Sequence, residues 1–221
     1  MITTRFIKVT ILPKLVVGIS GASGVIYGLR LLDYLSKLGS YETYVILSKN
    51  AVKVADHECC SKESFIKIVK SRCRELYVSS DLSSPLSSTS FIYNFNSMII
   101  IPCSLKTLAM IANSIQGNLL SRTALNFLRL RKPLLLVIRE TPLSTIDIIN
   151  MLKASLTGAT ILPASPAFYS NPKNLSDVVD YVVGKVLDVL GIENKLYRRW
   201  GEDRVTQDRY LCVQFFDQEC L

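Results

Sequence analysis

The feature that most limits the fold of this chain is a regular alternation of short apolar runs with longer amphipathic segments. KLVVGIS, SMIIIP, PLLLVIR and ATILP are typical of strands buried on both faces, TYVILS is a fifth candidate strand and ELYVSS a weaker sixth. Apolar residues at helical spacing predict helices over 23–38, 48–57, 61–73, 105–115, 119–130, 144–156 and 174–190. The alternation favours a single-domain, doubly wound α/β fold of Rossmann-like or flavodoxin-like type, with a mostly parallel sheet and helices on both faces.

The length of 221 residues suits one such domain with a sizeable core. We predict an N-terminal extension over 1–13, the main domain over 14–201 and a C-terminal tail over 202–221. The apolar runs are too short to span a membrane, and the first residues lack a signal peptide, so we expect a cytoplasmic protein with no membrane contact. The six cysteines form no C-x-x-C pair and only one histidine is present, which favours reduced thiols and no metal site.

The formal charge of +8 suits a nucleic acid, an anionic membrane or a phosphorylated small molecule. The basic residues are scattered apart from RLRK and YRRW, and no basic stripe with interleaved aromatic residues is present. We therefore expect a solvated basic surface and no nucleic-acid partner. A site for a phosphorylated molecule needs only a few of these charges.

A serine-rich segment over 79–96, SSDLSSPLSSTSFIYNFN, interrupts the alternation. Its composition predicts a long loop. Loops of this length in compact domains are either functional or simply flexible connections, and the sequence leaves both readings open.

The motif VVGISGASGVIYGLRLL predicts a strand, a tight turn of small residues and a helix. Gly18, Gly21 and Gly24 allow the backbone to turn and to approach a ligand closely, while Ser20 and Ser23 add hydroxyl donors. Free N–H groups at the start of the helix favour a phosphate. The spacing differs from the dinucleotide motif G-x-G-x-x-G, so a tight turn without a ligand remains the alternative.

Polar side chains also follow the other long strands of the predicted sheet directly. They are Ser48 after TYVIL, Ser104 with Lys106 and Thr107 after SMIIIP, Arg139 and Glu140 after PLLLVI, and Tyr169 beyond ATILP. A helix cap explains Ser48 or Ser104 alone, and a surface ion pair explains Arg139 with Glu140. Their coincidence at the carboxyl ends of strands predicts a ligand site at that edge of the sheet.

Several strings resemble the UbiX-like flavin prenyltransferases, a family in the flavoprotein superfamily that also holds FMN-dependent cysteine decarboxylases. They are GISGASGVIYGLRLLDYL, LSKNA, PCSLKTLA, RKPLLLVIRETPLS, GATILPASPAFY and YRRWG, and the similarity covers about residues 14–201. The resemblance implies that the chain binds FMN, needs no metal, and transfers a dimethylallyl group from dimethylallyl phosphate to N5 and C6 of reduced FMN. It also implies a homo-oligomer, often a dodecamer, with the site between subunits, and a UbiD-like decarboxylase that receives the prenylated FMN.

The resemblance assigns roles to individual residues. The implied FMN contacts are Gly21, Ala22, Ser23, Ser48, Ser104, Lys106, Thr107 and Arg139. The implied catalytic residues are Glu140 as the proton acceptor, Glu58 as the group that holds it or the substrate, and Ser23 near flavin N5. The implied contacts to the allyl phosphate are Arg122, Arg129, Tyr169 and Lys185.

Two departures from the family pattern bear on the donor site. Arg129 stands where many relatives have lysine, which keeps the charge but changes the donor geometry, so phosphate affinity or donor choice is expected to differ. The flexible S-G-S loop of the family is SSTS here, at residues 87–90, and without the glycine it is expected to close differently.

Three other functions remain open from the residues. An FMN-dependent cysteine-type decarboxylase would use a histidine on an early helix, which His57 in ADHECC supplies, but PCSLKT departs from the PASANT-type stretch of those enzymes. A non-catalytic FMN carrier would not need the paired carboxylates and the phosphate-binding cations. A basic nucleic-acid-binding protein would bind DNA in a strongly salt-dependent way and carry no flavin.

Overall fold

A six-stranded parallel sheet forms the frame of the protein in the computed structural model, which describes residues 12–201. The strands are β1 (Lys14–Ile19), β2 (Glu42–Leu47), β3 (Glu75–Val78), β4 (Ser97–Cys103), β5 (Leu134–Ile138) and β6 (Ala159–Pro163). They lie in the order β3-β2-β1-β4-β5-β6, and every neighbouring pair is parallel. The predicted doubly wound α/β class and all six predicted strands are confirmed.

The seven predicted helices are all present. The helices are α1 (Val25–Leu38), α2 (Lys49–Glu58), α3 (Lys62–Lys70), α4 (Thr89–Ile92), α5 (Leu105–Ala112), α6 (Leu119–Arg129), α7 (Thr145–Leu156) and α8 (Leu175–Val189). Two short 3-10 turns complete the described elements, Pro85–Ser87 and Phe168–Ser170. Helix ends differ from prediction by a few residues, as expected where caps and frayed turns decide the boundary.

The serine-rich segment is more ordered than predicted. It contains the first 3-10 turn and α4, and Leu86, Ile92 and Phe95 are almost completely buried. The hydroxyl of Thr123 on α6 donates to the carbonyl of Leu86 at 3.0 Å, and the amide of Asn126 donates to the carbonyl of Ser87 at 2.9 Å. The prediction of a long loop is therefore wrong for this segment, because three apolar side chains anchor it against α6.

Two hydrophobic cores flank the sheet. Helices α1, α2, α3 and α8 cover one face, and α4, α5, α6 and α7 cover the other. Side chains alternate along β1, so Leu15, Val17 and Ile19 enter the first core while Val16 enters the second. Burial on both faces explains why the central strands are continuous apolar runs.

Ser20 joins β1 to β4 at the carboxyl edge of the sheet. Its hydroxyl donates to the carbonyl of Pro102 at 2.8 Å and accepts from the backbone N–H of Ser104 at 2.8 Å, and the residue is 2% exposed. Beyond this point the connections from β1 and β4 lead to helices on opposite faces of the sheet. Such a divergence opens the crevice in which ligands of doubly wound folds bind. The prediction that the Ser20 hydroxyl serves a ligand is wrong, because both of these bonds hold the backbone.

No helix within residues 12–201 is long and apolar enough to cross a membrane. The predicted N-terminal extension lies outside the described residues except for Leu12 and Pro13, and the predicted tail lies outside them entirely. The predicted domain boundaries therefore stay a prediction.

We expect Ser20→Ala to lower the free energy of unfolding by about 1–3 kcal/mol, because the Ser104 N–H loses its hydroxyl partner and the buried Pro102 carbonyl keeps only its longer bond, from the Ser20 N–H at 3.3 Å. Urea denaturation measures this loss. Ser40→Ala is the matched control, since the Ser40 hydroxyl makes one exposed bond to the carbonyl of Leu38. Equal stability of the two variants would contradict the bridging role of Ser20.

Candidate active site

The loop between β1 and α1 is held by two charged side chains from distant parts of the chain. The carboxylate of Glu58, at the end of α2, accepts from the backbone N–H of Gly24 at 2.7 Å. The guanidinium of Arg139, directly after β5, donates through Nε to the carbonyl of Ser23 at 3.0 Å. The structure thus brings together Ser23, Glu58 and Arg139 as the resemblance implies, and it gives Glu58 a definite contact with the loop.

Close packing explains the glycines of this loop. A Cβ added at Gly21 would lie 2.4 Å from the Cβ of Asn50, and one added at Gly24, where φ is 94°, would lie 2.7 Å from the ring of Tyr27. Burial raises the pKa of Tyr27; nearby Arg139 opposes this shift and Glu58 adds to it. Tyr27 and Asn50 were missed from the sequence, where Tyr27 is marked only by its position beside the glycine-rich turn and Asn50 only by its position just after β2.

Three helices begin at this edge without an acidic residue of their own. Helices α1, α2 and α5 follow β1, β2 and β4, which are neighbours in the sheet, and none has an acidic residue in its first turn. By contrast α3, α7 and α8 begin with Glu63, Asp147 and Asp177. Gly24 gives α1 no side-chain cap of its own, and the Glu58 carboxylate from α2 binds its N–H. The three helix dipoles favour an anion at this edge, and Glu58 offsets part of the dipole of α1.

The predicted FMN contacts on α2 and α5 also act as helix caps. The Ser48 hydroxyl accepts from the N–H of Ala51 at 3.0 Å. The Ser104 hydroxyl accepts from the N–H of Thr107 at 3.3 Å and lies 3.0 Å from the Thr107 hydroxyl. A serine cap still offers its proton to a ligand because it uses only an acceptor site in capping the helix. Ala22 is buried beneath the first loop, whereas the side chain of Lys106 is exposed.

Glu140 lies next to Arg139 at the end of β5 and is exposed. Its carboxylate accepts from the backbone N–H of Thr141 at 3.1 Å. Glu58 binds the N–H of Gly24 from the end of α2, so the two glutamates come from different elements of the fold. A carboxylate with open lone pairs at this position is able to accept a proton from a bound molecule.

Tyr169 and Lys185 belong to a second cluster beside α8. The ring of Tyr169, in the second 3-10 turn, packs edge-on against Tyr181 of α8 with centroids 6.0 Å apart. The ammonium of Lys185 lies 5.8 Å from the ring centroid of Tyr197 and 3.8 Å from the carboxylate of Asp188. Because Tyr181 and Tyr197 also pack at 4.8 Å, the predicted contacts Tyr169 and Lys185 share one set of neighbours.

The two predicted contacts on α6 lie at opposite ends of that helix. Arg122 donates through Nε to the carbonyl of Ser87 at 3.0 Å and so fastens the SSTS segment. Arg129 ends α6, five residues before β5 begins, and therefore lies at the amino edge of the sheet. Within a single subunit, Arg129 therefore lies at the opposite edge of the sheet from Arg139 and Glu140.

Cysteine and histidine contribute no metal cluster in the part of the chain that the structure describes. No group of three or more His, Cys, Asp or Glu side chains within residues 12–201 is arranged to hold a metal ion. The four cysteines in this range, Cys59, Cys60, Cys73 and Cys103, are free thiols. His57 lies exposed on α2, as expected of a histidine on a helix surface.

Residues 11–188 match the family model Flavoprotein. A flavin prenyltransferase UbiX from Saccharolobus solfataricus is 51% identical over 187 residues, which cover 85% of this chain and 92% of the relative. The fold and the match to this family model define an α/β flavoprotein.

Two solved structures are similar in both fold and sequence. AnUbiX (PadA1) in complex with FMN and dimethylallyl pyrophosphate has a TM-score of 0.81 and 34% identity, and the match covers 87% of this chain and 100% of that one. A dodecameric FMN-dependent Ubix-like decarboxylase from Escherichia coli O157:H7 has a TM-score of 0.79 and 38% identity, with coverage of 85% and 98%. The chain belongs to the UbiX-like flavin prenyltransferase family, which confirms the predicted family and the predicted enzyme class, a transferase.

The cysteine decarboxylases share less. The peptidyl-cysteine decarboxylase EpiD has a TM-score of 0.55 and 18% identity, and it covers 71% of this chain. A likeness at that level extends to the fold alone.

We expect Glu58→Ala to weaken FMN binding about tenfold, because the loop loses the charged bond that fixes Gly24. Glu58→Gln should weaken binding less, since its amide oxygen still accepts the bond. Quenching of flavin fluorescence on titration measures both affinities. Glu63→Ala, which removes an exposed carboxylate from α3, is the control, and wild-type affinity in Glu58→Ala would contradict the clamp.

Proposed function

We propose that this chain transfers a dimethylallyl group from dimethylallyl phosphate to N5 and C6 of reduced FMN and releases prenylated FMN. The observation that carries the proposal is the convergence of Glu58 and Arg139 on the Ser23–Gly24 peptide at the carboxyl edge of the sheet. The similarity to flavin prenyltransferases, and to the structure of AnUbiX with FMN and dimethylallyl pyrophosphate, supports it.

The donor groups at the carboxyl edge fit FMN. The acid-free helix starts of α1, α2 and α5 suit its phosphate, and the hydroxyls of Ser23, Ser48 and Ser104 suit its polar edges. Gly21 and Ala22 allow close approach of the loop, while Lys106, Thr107 and Arg139 add further donors. When bound in reduced form, FMN supplies the electron-rich ring that accepts the allyl group.

Cationic and hydroxyl groups of the chain have the task of stabilising the leaving phosphate. The allyl group becomes positive and the leaving oxygens become negative as their bond breaks, so fixed positive charge near those oxygens lowers the barrier. Tyr169 and Lys185, which are linked through Tyr181 and Tyr197, are the groups that we assign to this role. Enough protein charge around the phosphate makes a metal unnecessary.

Glu140 has the task of accepting the proton that leaves C6 when the new ring closes. Its exposed carboxylate follows β5 and has room to turn from the Thr141 N–H toward a ligand. The Ser23 hydroxyl has the task of a hydrogen bond near N5. The bond from Arg139 to the Ser23 carbonyl would hold this residue in place. A dry pocket is also needed, because water would capture the allyl cation.

Arg122 and Arg129 reach the donor from a neighbouring subunit in this proposal. Arg129 lies at the amino edge of its own sheet, so a homo-oligomer is the arrangement that allows it to serve a site at a carboxyl edge. An apolar face on α7 suits such a contact: Ile146, Ile148, Ile149, Leu152 and Leu156 are each at least 40% exposed. The assembly that we propose is a dodecamer, like that of the similar Ubix-like decarboxylase from Escherichia coli O157:H7.

The product defines the partner that we propose. Prenylated FMN would pass to a UbiD-like decarboxylase, which uses it as its cofactor. A cytoplasmic location agrees with the four free thiols among the described cysteines and with the need to keep FMN reduced.

Anaerobic incubation of the protein with reduced FMN and dimethylallyl phosphate, followed by mass spectrometry of the flavin, tests the activity. The flavin should gain one five-carbon unit. A parallel incubation with the diphosphate donor shows which leaving group the site prefers. A flavin of unchanged mass with both donors would overturn the proposal.

In this assay we expect Glu140→Gln to keep FMN affinity and to lose at least about a hundredfold in product formation, the usual range for a lost proton acceptor. The amide has the shape of the carboxylate but cannot take the proton from C6. Glu63→Gln is the control with an exposed carboxylate on α3. Wild-type turnover by Glu140→Gln would remove Glu140 from the chemistry.

For the donor, we expect Lys185→Ala to raise the KM for dimethylallyl phosphate about tenfold, because one positive charge near the phosphate is lost. FMN affinity should not change, since Lys185 lies in the other cluster. Steady-state kinetics at saturating FMN measures the KM, with Lys67→Ala on α3 as the control. An unchanged KM would count against a phosphate contact by Lys185.

A further inference from the structure

The chain folds back along α8 after this helix ends. Gly191, with φ of 69°, turns the backbone, and residues 192–200 then form what we call the C-terminal strap. The strap contacts progressively earlier positions: Asn194 donates to the carbonyl of Gly184, Tyr197 packs on Tyr181, and Trp200 packs on Tyr169. The strap therefore runs from the end of α8 to a residue of the proposed donor site.

One carboxylate on α8 fastens this strap. Oδ1 of Asp188 accepts from Nη2 of Arg199 at 2.7 Å and from Nδ2 of Asn194 at 2.9 Å. Oδ2 accepts from the hydroxyl of Tyr197 and from Nη1 of Arg199 at 3.1 Å. Charge-assisted bonds of this kind are the strong ones, and three strap residues converge on the same group.

The strap in turn sets the surroundings of Tyr169 and Lys185. The guanidinium of Arg198 donates to the carbonyl of Tyr169, and the Trp200 ring packs edge-on against Tyr169 at 5.3 Å. The Tyr197 ring lies beneath the Lys185 ammonium. The ring fits there because residue 184 is a glycine, since a Cβ at this position would lie 2.5 Å from the ring. Loss of the strap would remove these neighbours from both residues at once.

We propose that Asp188 is a positioning residue of the donor site: by fastening the strap to α8 it fixes the orientation of Tyr169 and of Lys185 toward the phosphate of the allyl donor. The role of those two residues rests on the proposed function, whereas the fastening of the strap does not. Burial, followed by a hydrogen bond with Tyr169, raises the pKa of Tyr181 to about 12, which agrees with a contact between the two phenols.

Acid should release the strap. Burial alone would raise the pKa of Asp188, but hydrogen bonds from Arg199, Tyr197 and Asn194 outweigh it and hold this pKa below its ordinary value. The stabilisation is therefore complete above the ordinary pKa of an aspartate and is lost as the pH falls through the lowered value. The charged and titratable groups that face Asp188 are Lys185 on α8, Arg199 and Tyr197 on the strap, and, farther off, Tyr181.

Trp200 reports on the strap because it is the only tryptophan in the chain. Trp200 is 81% exposed, so its mobility rather than its accessibility is the readout. In the FMN-bound protein, Asp188→Ala should lower the fluorescence anisotropy of Trp200 and raise the dissociation constant of dimethylallyl phosphate about tenfold, with FMN affinity unchanged. Binding is measured with oxidised FMN, which prevents turnover. Tyr197→Phe keeps the ring and loses one bond, so it should change both readouts in the same direction by less.

Asp180→Asn is the matched control. Asp180 lies on the same helix and pairs with Arg30 at 2.5 Å, away from the strap, so its loss should leave Trp200 anisotropy and donor affinity unchanged. Acid should lower the anisotropy in the wild type and in Asp180→Asn, but not in Asp188→Asn, while circular dichroism shows that the fold persists.

Two results would overturn the inference: unchanged Trp200 anisotropy in Asp188→Ala, or lowered anisotropy with unchanged donor affinity. Wild-type protein that binds the donor without transferring the prenyl group would contradict only the proposed function.

Discussion

The bond network of Ser20 at the point where the sheet divides is the constraint on which the site depends. Its hydroxyl ties the end of β1 to the end of β4, and the connections from these two strands continue to helices on opposite faces. These two bonds hold the backbone after β1 and the backbone after β4 together where the crevice begins. Glu58 and Arg139 then hold the loop between β1 and α1, so three polar side chains fix the backbone at the edge where we propose that FMN binds.

The chemistry is divided between surfaces that a single chain keeps apart. Helix starts without acidic residues lie at the edge where we propose that FMN binds, whereas Tyr169 and Lys185 lie in an aromatic cluster along α8. Arg129 lies at the other end of the sheet. The apolar face of α7 offers a physical reason for copies to associate, and association is what would unite these parts in the function we propose.

Sequence reasoning succeeded where local pattern decides structure and was wrong where packing decides it. Continuous apolar runs predicted all six strands, because burial on both faces leaves few alternatives. The serine-rich segment was taken as a loop, yet Leu86, Ile92 and Phe95 bury it. The serine content concealed three apolar positions whose spacing matches neither helix nor strand. Ser20 was taken as a donor for a ligand, because nothing local shows its backbone partners, Pro102 in β4 and Ser104 just after it, which lie more than eighty residues away.

The sequence by itself determined the order of strands and helices, the fold class and the strand ends that carry polar groups, since these follow from the period of apolar residues. Only the tertiary structure decided which groups meet. Glu58 reaches Gly24 across 34 residues, and Arg139 reaches Ser23 across 116. The convergence of the strap on Asp188 likewise arises from a turn in the backbone. Hydrogen bonds between distant residues depend on the path of the folded chain, and no local periodicity encodes that path.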